Sequence, residues 1–379
     1  MDHKRPLSGD PSLLRRLNTA AALGVLREHE ELTAPELATL IGVSRPTAHD
    51  VLLQLLGQDR VVELGSESEV PRTGAGRPAR RFRFHAEAGH VVGVDIGAHK
   101  VLVHVADLRG RTVAVHRVTV TPALTAARRL RVVRDAVAAC LAAAPGARPL
   151  ALGIGTTGIV DPSGCVTLST ALPGWSGLDL TRELDGCVPG PVLVGNDIQL
   201  ATLAEFSGGA AAGVRDGIYL YVGNRPGIGL WLRGQLHRGH HAAAGELLPF
   251  KPWADAYQRL MDWSAGHQGA EAPTRDSAVR AVVTAADAGD GGARYALRAF
   301  AEGLAGCLLT HVAALDPELV VLGGGVSRAG GVLREPLAEH LDANCRRPPE
   351  VRTSTLGEES TVTGAVRMAL EYLEQTAHA

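Results

Sequence analysis

Ser44, Arg45, Thr47, Ala48 and His49 lie in SRPTAH (44–49), a run of small, hydroxyl and basic groups. At the start of a helix, such side chains can hydrogen-bond to base edges in the major groove of DNA. A basic stretch follows, PRTGAGRPARR (71–81), and residues 72–83 hold five arginines and no acid. Its Gly76-Arg77-Pro78 is extended and narrow enough to lay a guanidinium in a minor groove. A solvated interdomain linker is the plainer reading of the same run. A second set of polar residues sits at the ends of apolar runs. Asp95 closes HVVGVDIG (90–97), and Asn196 and Asp197 close PVLVGND (191–197). In α/β proteins the strand ends face the crevice where ligands bind.

The elements that must position the first set read clearly. Thr33 can cap a helix, with Pro35 and Glu36 in its opening turn. Leu37, Ala38, Leu40 and Ile41 supply that helix with an inward face, and Gly42 closes it in the left-handed conformation that helix ends favour. Ser44 caps the next helix, with Pro46 in its first turn. Val51, Leu52, Leu55 and Leu56 recur at helical spacing, which leaves Ser44, Arg45, Thr47, Ala48 and His49 outside. Leu13, Leu14, Leu17, Ala21, Val25 and Leu26 form an amphipathic helix upstream, and RVVEL (60–64) can pair with RFRFH (81–85) as a two-stranded wing. The pattern predicts a winged helix-turn-helix DNA-binding domain over 1–70, then a basic linker and wing strand over 71–89.

A chain of this length is expected to fold as two or three domains. Residues 1–90 hold twelve Lys or Arg and twelve Asp or Glu, so DNA affinity must come from local placement of arginines and from two copies of the head. No run of 18 uncharged apolar residues occurs, and the first residues, MDHKRPLSGD, do not read as a signal peptide. A cytoplasmic protein without membrane contact is expected. Cys140, Cys165, Cys187, Cys307 and Cys345 are too widely spaced for a zinc knuckle or a disulfide framework.

Beyond the wing, strands and helices alternate. KVLVHVADL (100–108) and RTVAVHRVTV (111–120) follow the first strand, then a helix over 125–144 and a strand at PLALGIGTTGIV (149–160). DGIYLYVG (216–223) and GIGLWLRGQL (227–236) open a second, similar unit, with a long helix over 294–315, a strand at ELVVLGGGVS (318–327) and a closing helix at GAVRMALEYL (364–373). The duplication predicts two α/β lobes, 90–210 and 211–379, around a cleft into which Asp95, Asn196, Asp197 and the glycine loops point. The region resembles the actin, hexokinase and sugar-kinase fold.

Eight segments in order make the resemblance specific: the winged helix, GRP in the linker, GVDIGAHK (93–100), LGIGTTGIVDPSG (152–164), LPGW (172–175), GND (195–197), GIGLWLRGQLHRGHHAAAGEL (227–247) and VVLGGGVS (320–327). Together they resemble the ROK family of repressors, open reading frames and kinases, in its transcription-factor branch. The resemblance implies that Asp197 matches the family's catalytic base, and that Asn196 and Glu246 match its sugar-contacting positions. Where family members carry Asn before LPGW, this chain has Ala171. The first phosphate loop of family kinases resembles DIGGTK; here it is Asp95-Ile96-Gly97-Ala98-His99-Lys100. The second has Asn224-Arg225-Pro226 inserted after Gly223, and proline removes an N–H donor. These departures lead to the expectation of no enzymatic activity, no catalytic residue and no cofactor. Zinc-bearing members resemble GExGH followed by a cysteine cluster. Here Gly245-Glu246 runs into Leu247-Leu248-Pro249, and 250–263 holds no cysteine, so no metal is expected.

The expected function is a transcriptional regulator of the repressor kind. It would act as a homodimer or tetramer on double-stranded DNA with a pseudo-palindromic operator. Its DNA contacts would be Ser44, Arg45, Pro46, Thr47, His49, Gly76, Arg77 and Pro78, and its cleft would sense a carbohydrate effector through Asn196, Asp197, Gly245 and Glu246. A non-sugar effector, an effector-free DNA binder and a ROK sugar kinase with a regulatory DNA-binding head stand as alternatives.

Overall fold

The computed structural model describes residues 11–64, 80–223, 226–246, 251–267, 275–324 and 330–376. The head comprises α1 (Pro11–Glu28), β1 (Leu32–Thr33), α2 (Ala34–Ile41), α3 (Arg45–Gly57), β2 (Val61–Leu64) and β3 (Arg81–Phe84). Thr33 and Glu36 form a reciprocal capping box: Glu36 N–H donates to the Thr33 hydroxyl, and Thr33 N–H to the Glu36 carboxylate at 2.7 Å. Gly42 takes φ +69°, which turns the chain into α3. The wing expected from two strands gains a third, since β3 pairs with β2 on one side and β1 on the other.

Three expected faces of the head are corrected. Ala48 is fully buried; it lies one turn before Val51 and Leu52 and shares their stripe. Leu40 is 49% exposed, because the packed side of α2 runs through Leu37, Ala38 and the half-buried Ile41. On α1 the core face is Thr19, Ala22, Leu23 and Leu26; Leu14 and Leu17 lie exposed in the opening turns, and Ala21 faces outward between core residues.

The first lobe holds β4 (His90–Ile96), β5 (Lys100–Asp107), β6 (Thr112–Thr119), α4 (Ala126–Ala142), β7 (Pro149–Thr156), β8 (Ile159–Val160), β9 (Val166–Leu168), α5 (Leu180–Glu183), β10 (Val192–Asn196) and α6 (Asp197–Gly208). Its sheet runs β10-β7-β4-β5-β6, with an antiparallel meander β4–β6 and two strands parallel to β4. The second lobe repeats the plan: β11 (Gly217–Val222), β12 (Gly227–Leu232), β13 (Gln235–His237), α7 (Lys251–His267), α8 (Arg275–Asp287), α9 (Gly291–Leu315), β14 (Leu319–Gly324), α10 (Gly331–Asn344) and β15 (Glu350–Thr353), in the order β13-β12-β11-β14-β15. This is the two-lobed α/β fold expected from the duplicated pattern.

The last helix, α11 (Ser360–Thr376), returns to the first sheet, and α6 packs against both α11 and the second sheet. Glycine makes this back-to-back packing feasible. A Cβ on Gly153 would collide with the Ala365 carbonyl, and one on Gly364 with that of Leu200. One apolar core also joins head and body: Leu26, Leu52, Phe82 and Phe84 pack with Ala151, Ala369 and Leu370. Among the described residues no helix is long and apolar enough to cross a membrane.

Candidate functional site

β4 and β5 bring Asp95 and Lys100 to one corner of the cleft. Gly97 N–H donates to the Lys100 carbonyl at 2.9 Å, a tight hairpin that turns the first glycine loop. Lys100 Nζ lies 3.1 Å from Asp95 Oδ2 and donates to the Glu358 carbonyl at 2.7 Å. Burial still pushes the Asp95 carboxyl above its ordinary range, against the lowering effect of Lys100. Beneath the loop lies Arg129 of α4, fully buried, donating to the carbonyls of Gly97 at 2.6 Å and Thr121 at 2.8 Å. Burial lowers its pKa. Among the described residues no carboxylate pairs with it. In a trans peptide, C=O and N–H point opposite ways. By holding the Gly97 carbonyl inward, Arg129 therefore turns the Ala98 N–H away from itself.

β10 delivers Asn196 and Asp197. Helix capping is the bland explanation for a polar residue after a strand, and here Asn196 does it: its Oδ1 accepts Gln199 N–H at 2.9 Å. Its Nδ2 donates to the Gly158 carbonyl at 2.9 Å and to Glu246 Oε1 at 3.4 Å. Asp197, relieved of capping, takes its neighbour Ile198 N–H on Oδ1 at 2.9 Å. Burial first, and then the charge of Asp95, push its pKa up to about 7, with Glu246 adding to the rise. Asn196, Asp197 and Glu246 thus share one corner with Asp95. Gly245, at φ +88°, accepts Ile228 N–H at 3.1 Å and anchors the Glu246 loop to β12. The LPGW turn is fixed by the buried Trp175, whose indole N–H donates to the Thr156 hydroxyl at 2.9 Å.

Several residues here were missed by sequence reasoning. Arg129 was one, although of the four arginines of α4 it alone shares the buried stripe of Val133 and Ala136, a spacing that could have signalled it. Tyr257 was another: its hydroxyl donates to the Gly223 carbonyl at 2.6 Å, so α7 steadies the second glycine loop. Asn224 and Arg225 lie outside the described residues.

On the head, Ser44, Arg45, Pro46 and His49 are exposed on the first turn of α3. Thr47 is half-buried, its N–H donating to Ser44 Oγ at 3.3 Å and its hydroxyl 2.8 Å from the same oxygen. Ala48 is no part of that surface. Gly76, Arg77 and Pro78 lie outside the described residues. The local absence of acid around the arginines is offset in space. Arg80 pairs with Glu63 at 3.2 Å, Arg81 with Glu31 at 2.6 Å and Arg83 with Glu87 at 2.8 Å.

Residues 91–247 and 260–372 match the model of the ROK family. The bifunctional enzyme NanE/NanK of Brucella melitensis is 33% identical over 302 residues; the match covers 74% of this chain and 54% of that protein, so the chain spans about half its relative's length. The glucokinase of Streptomyces coelicolor is 27% identical over 321 residues, covering 75% of this chain and 98% of the relative. The xylose repressor of Caldicellulosiruptor bescii is 24% identical over 242 residues, 63% of this chain and 59% of the relative. Among solved structures, a ROK family transcriptional regulator, homologous to the E. coli MLC protein, aligns with a TM-score of 0.76 over 96% of this chain and 99% of that one; at 16% identity the likeness is one of fold.

The expectation of no enzymatic activity is corrected by these relatives, since NanE/NanK and glucokinase point toward kinase activity. The altered first loop misled because phosphate is cradled by backbone N–H groups. Ala98 adds a methyl but keeps its N–H, and the 97–100 hairpin is closed by the Gly97 N–H on the Lys100 carbonyl.

Proposed function

The chain belongs to the ROK family, and from that premise we propose that it is a sugar-responsive DNA-binding regulator of the repressor kind, whose cleft also keeps the group needed to phosphorylate a sugar. The observation that carries this reading is α11, one helix that runs from the cleft to the head. At its start the Thr361 hydroxyl donates to the Asp197 carbonyl at 3.2 Å. Near its end Glu374 pairs with Arg27 of α1 at 2.8 Å, and Ala369 and Leu370 share a core with the head. The body also grips the head at the β5–β6 turn, where Arg109 donates to the carbonyls of Leu26 and His29.

In this reading Asn196, Asp197 and Glu246 meet sugar hydroxyls, each of which offers one donor and two acceptor lone pairs. Ser44, Arg45, Thr47 and His49, on the helix start set by Pro46, read a half-site in the major groove, and Gly76-Arg77-Pro78 adds a minor-groove contact. Two or four copies bind a pseudo-palindromic operator in the cytoplasm. A sugar that favours one lobe angle shifts α11 and hence the head, to the extent that its affinity differs between the two lobe states.

The kinase relatives favour a second reading, a sugar kinase with a regulatory head. A carboxyl with pKa about 7 suits general-base work at neutral pH. Asp197 would take the proton as a sugar hydroxyl attacks the γ-phosphorus of ATP, with the bond to the departing ADP oxygen breaking. Gel-shift titrations on the chain's own upstream DNA, with and without D-glucose, D-xylose or N-acetyl-D-mannosamine, test the first reading. ADP release from ATP, magnesium and the same sugars tests the second. Turnover with no sugar effect on DNA would select the kinase; no DNA retention at moderate salt would remove the regulator.

A further inference from the structure

Glu205 lies on the last turn of α6 with no exposure to solvent. Both of its oxygens are engaged. Oε2 accepts Ala210 N–H at 2.9 Å, on the segment that carries the chain from α6 into β11. Oε1 accepts the Ser354 hydroxyl, Leu356 N–H at 3.2 Å and the Ser360 hydroxyl at 3.4 Å, all on the segment that carries the chain from β15 back to α11. Arg352 at the end of β15 reaches the same place, donating to the Ala210 carbonyl at 2.9 Å. These two segments are the chain's connections between the second sheet and the α6/α11 pair. Earlier on α6, Gly364 meets the Leu200 carbonyl and Thr361 meets that of Asp197, so the two helices are in close contact between this carboxylate and Asp197.

We propose that Glu205 is a positioning residue: by clasping both connections between the lobes it fixes the angle of α6, and with it the placement of Asn196 and Asp197 in the cleft. The inference rests on the proposed sugar site only for its consequence in binding. A buried carboxylate is a costly way to hold a loop, and an apolar side chain would fill the space without desolvation. Four donors from two separate segments are what an apolar residue could not hold together. α6 is a short, capped helix, so a tilt at Glu205 is transmitted to Asp197 at its other end.

The test uses the full-length protein and two variants. Glu205→Ala removes both halves of the clasp. Glu205→Gln can keep an acceptor toward Ser354, Leu356 and Ser360 but sets an NH2 against Ala210 N–H. Amide exchange is expected to quicken tenfold or more over both 209–216 and 354–361 in Glu205→Ala, and over 209–216 alone in Glu205→Gln, with the head and the first sheet unchanged. The Asp197 carboxyl, followed by 13C-aspartate NMR, should titrate at least one pH unit lower in either variant. Affinity for D-glucose, D-xylose or N-acetyl-D-mannosamine, whichever the wild type binds, should fall about tenfold, while DNA affinity without sugar stays within twofold. Should Glu205→Ala fail to fold, Glu205→Gln carries the test. Unchanged exchange in 209–216, or loosened segments with an unmoved Asp197 titration, would overturn the proposal. A wild type that binds none of the sugars, with the exchange and titration changes present, would sink the sugar reading and leave the role of Glu205 standing.

Discussion

The substitution Asp197→Asn should stabilise the protein at alkaline pH while disabling its cleft. The Asp197 carboxyl is held at about 7, against an ordinary value near 4. Three units at 1.36 kcal/mol each set a ceiling of about 4 kcal/mol on the cost of ionising it in the folded state. Asp197 is only half-buried by accessible surface, so water screens part of that cost, and about 2 kcal/mol is the expected share. A raised folded pKa means that between pH 4 and 7 the native state holds a proton that the unfolded chain has released. Stability from this group therefore falls as pH rises through that window and stays low above it. The amide introduced by Asp197→Asn does not titrate. The variant should match the wild type at pH 4 and exceed it by about 2 kcal/mol at pH 8, read from urea unfolding at both values. On the kinase reading the same substitution should abolish ADP release, and on either reading it should weaken sugar binding tenfold or more. A stability difference that does not change with pH would refute the assignment of the titration to Asp197, and a fully active variant would refute its role in the cleft.

Arg45→Ala should weaken operator binding roughly tenfold to a hundredfold, the ~1–3 kcal/mol of a good base contact, in gel shifts at fixed salt. Arg77→Ala should cost about tenfold in the same assay, and unchanged affinity would remove the 76–78 stretch from the DNA reading. Thr33→Ala breaks the capping box and should lower stability by about 1 kcal/mol, measured by denaturant unfolding. Glu374→Ala leaves the Arg27 guanidinium without its partner; it should shrink the effect of sugar on DNA affinity while sugar affinity itself changes little, and an undiminished sugar effect would argue against α11 as the link.

The elements most legible in the sequence were those whose signals are local. Gly42 and Ser44 marked the turn of the head because left-handed backbone and an N-cap hydroxyl are needed there whatever the partner. Asp95, Asn196 and Asp197 could be set in one cleft because strand ends in a duplicated α/β pattern converge. Faces were read less well. Ala48 carries too little side chain to announce burial, yet its spacing to Val51 and Leu52 placed it in the core. Leu14 and Leu17 have the right character for a core, but α1 extends past the helices that could cover them. Partners distant in sequence were not legible at all. Nothing in GAVRMALEYL says that this helix leaves the second lobe for the first sheet, and nothing near Glu205 names Ser354 or Leu356.

That long-range placement bears on how one body can serve both a kinase and a regulator. On the kinase reading, the catalytic requirement would fall to residues at strand ends: Asp197, Asn196 and the hairpin after Asp95. The regulatory requirement is a rigid member that touches the cleft and leaves it. α11 meets this requirement without altering the cleft, because the glycines of β7 let it lie flush on the first sheet and its far end joins a core that already contains α1 and β3. Arg27, paired with Glu374, and Arg109, bonded to the Leu26 and His29 carbonyls, join the head to the body there. On the proposed reading, DNA contact and sugar contact therefore draw on different residues, and loss of one by mutation need not remove the other.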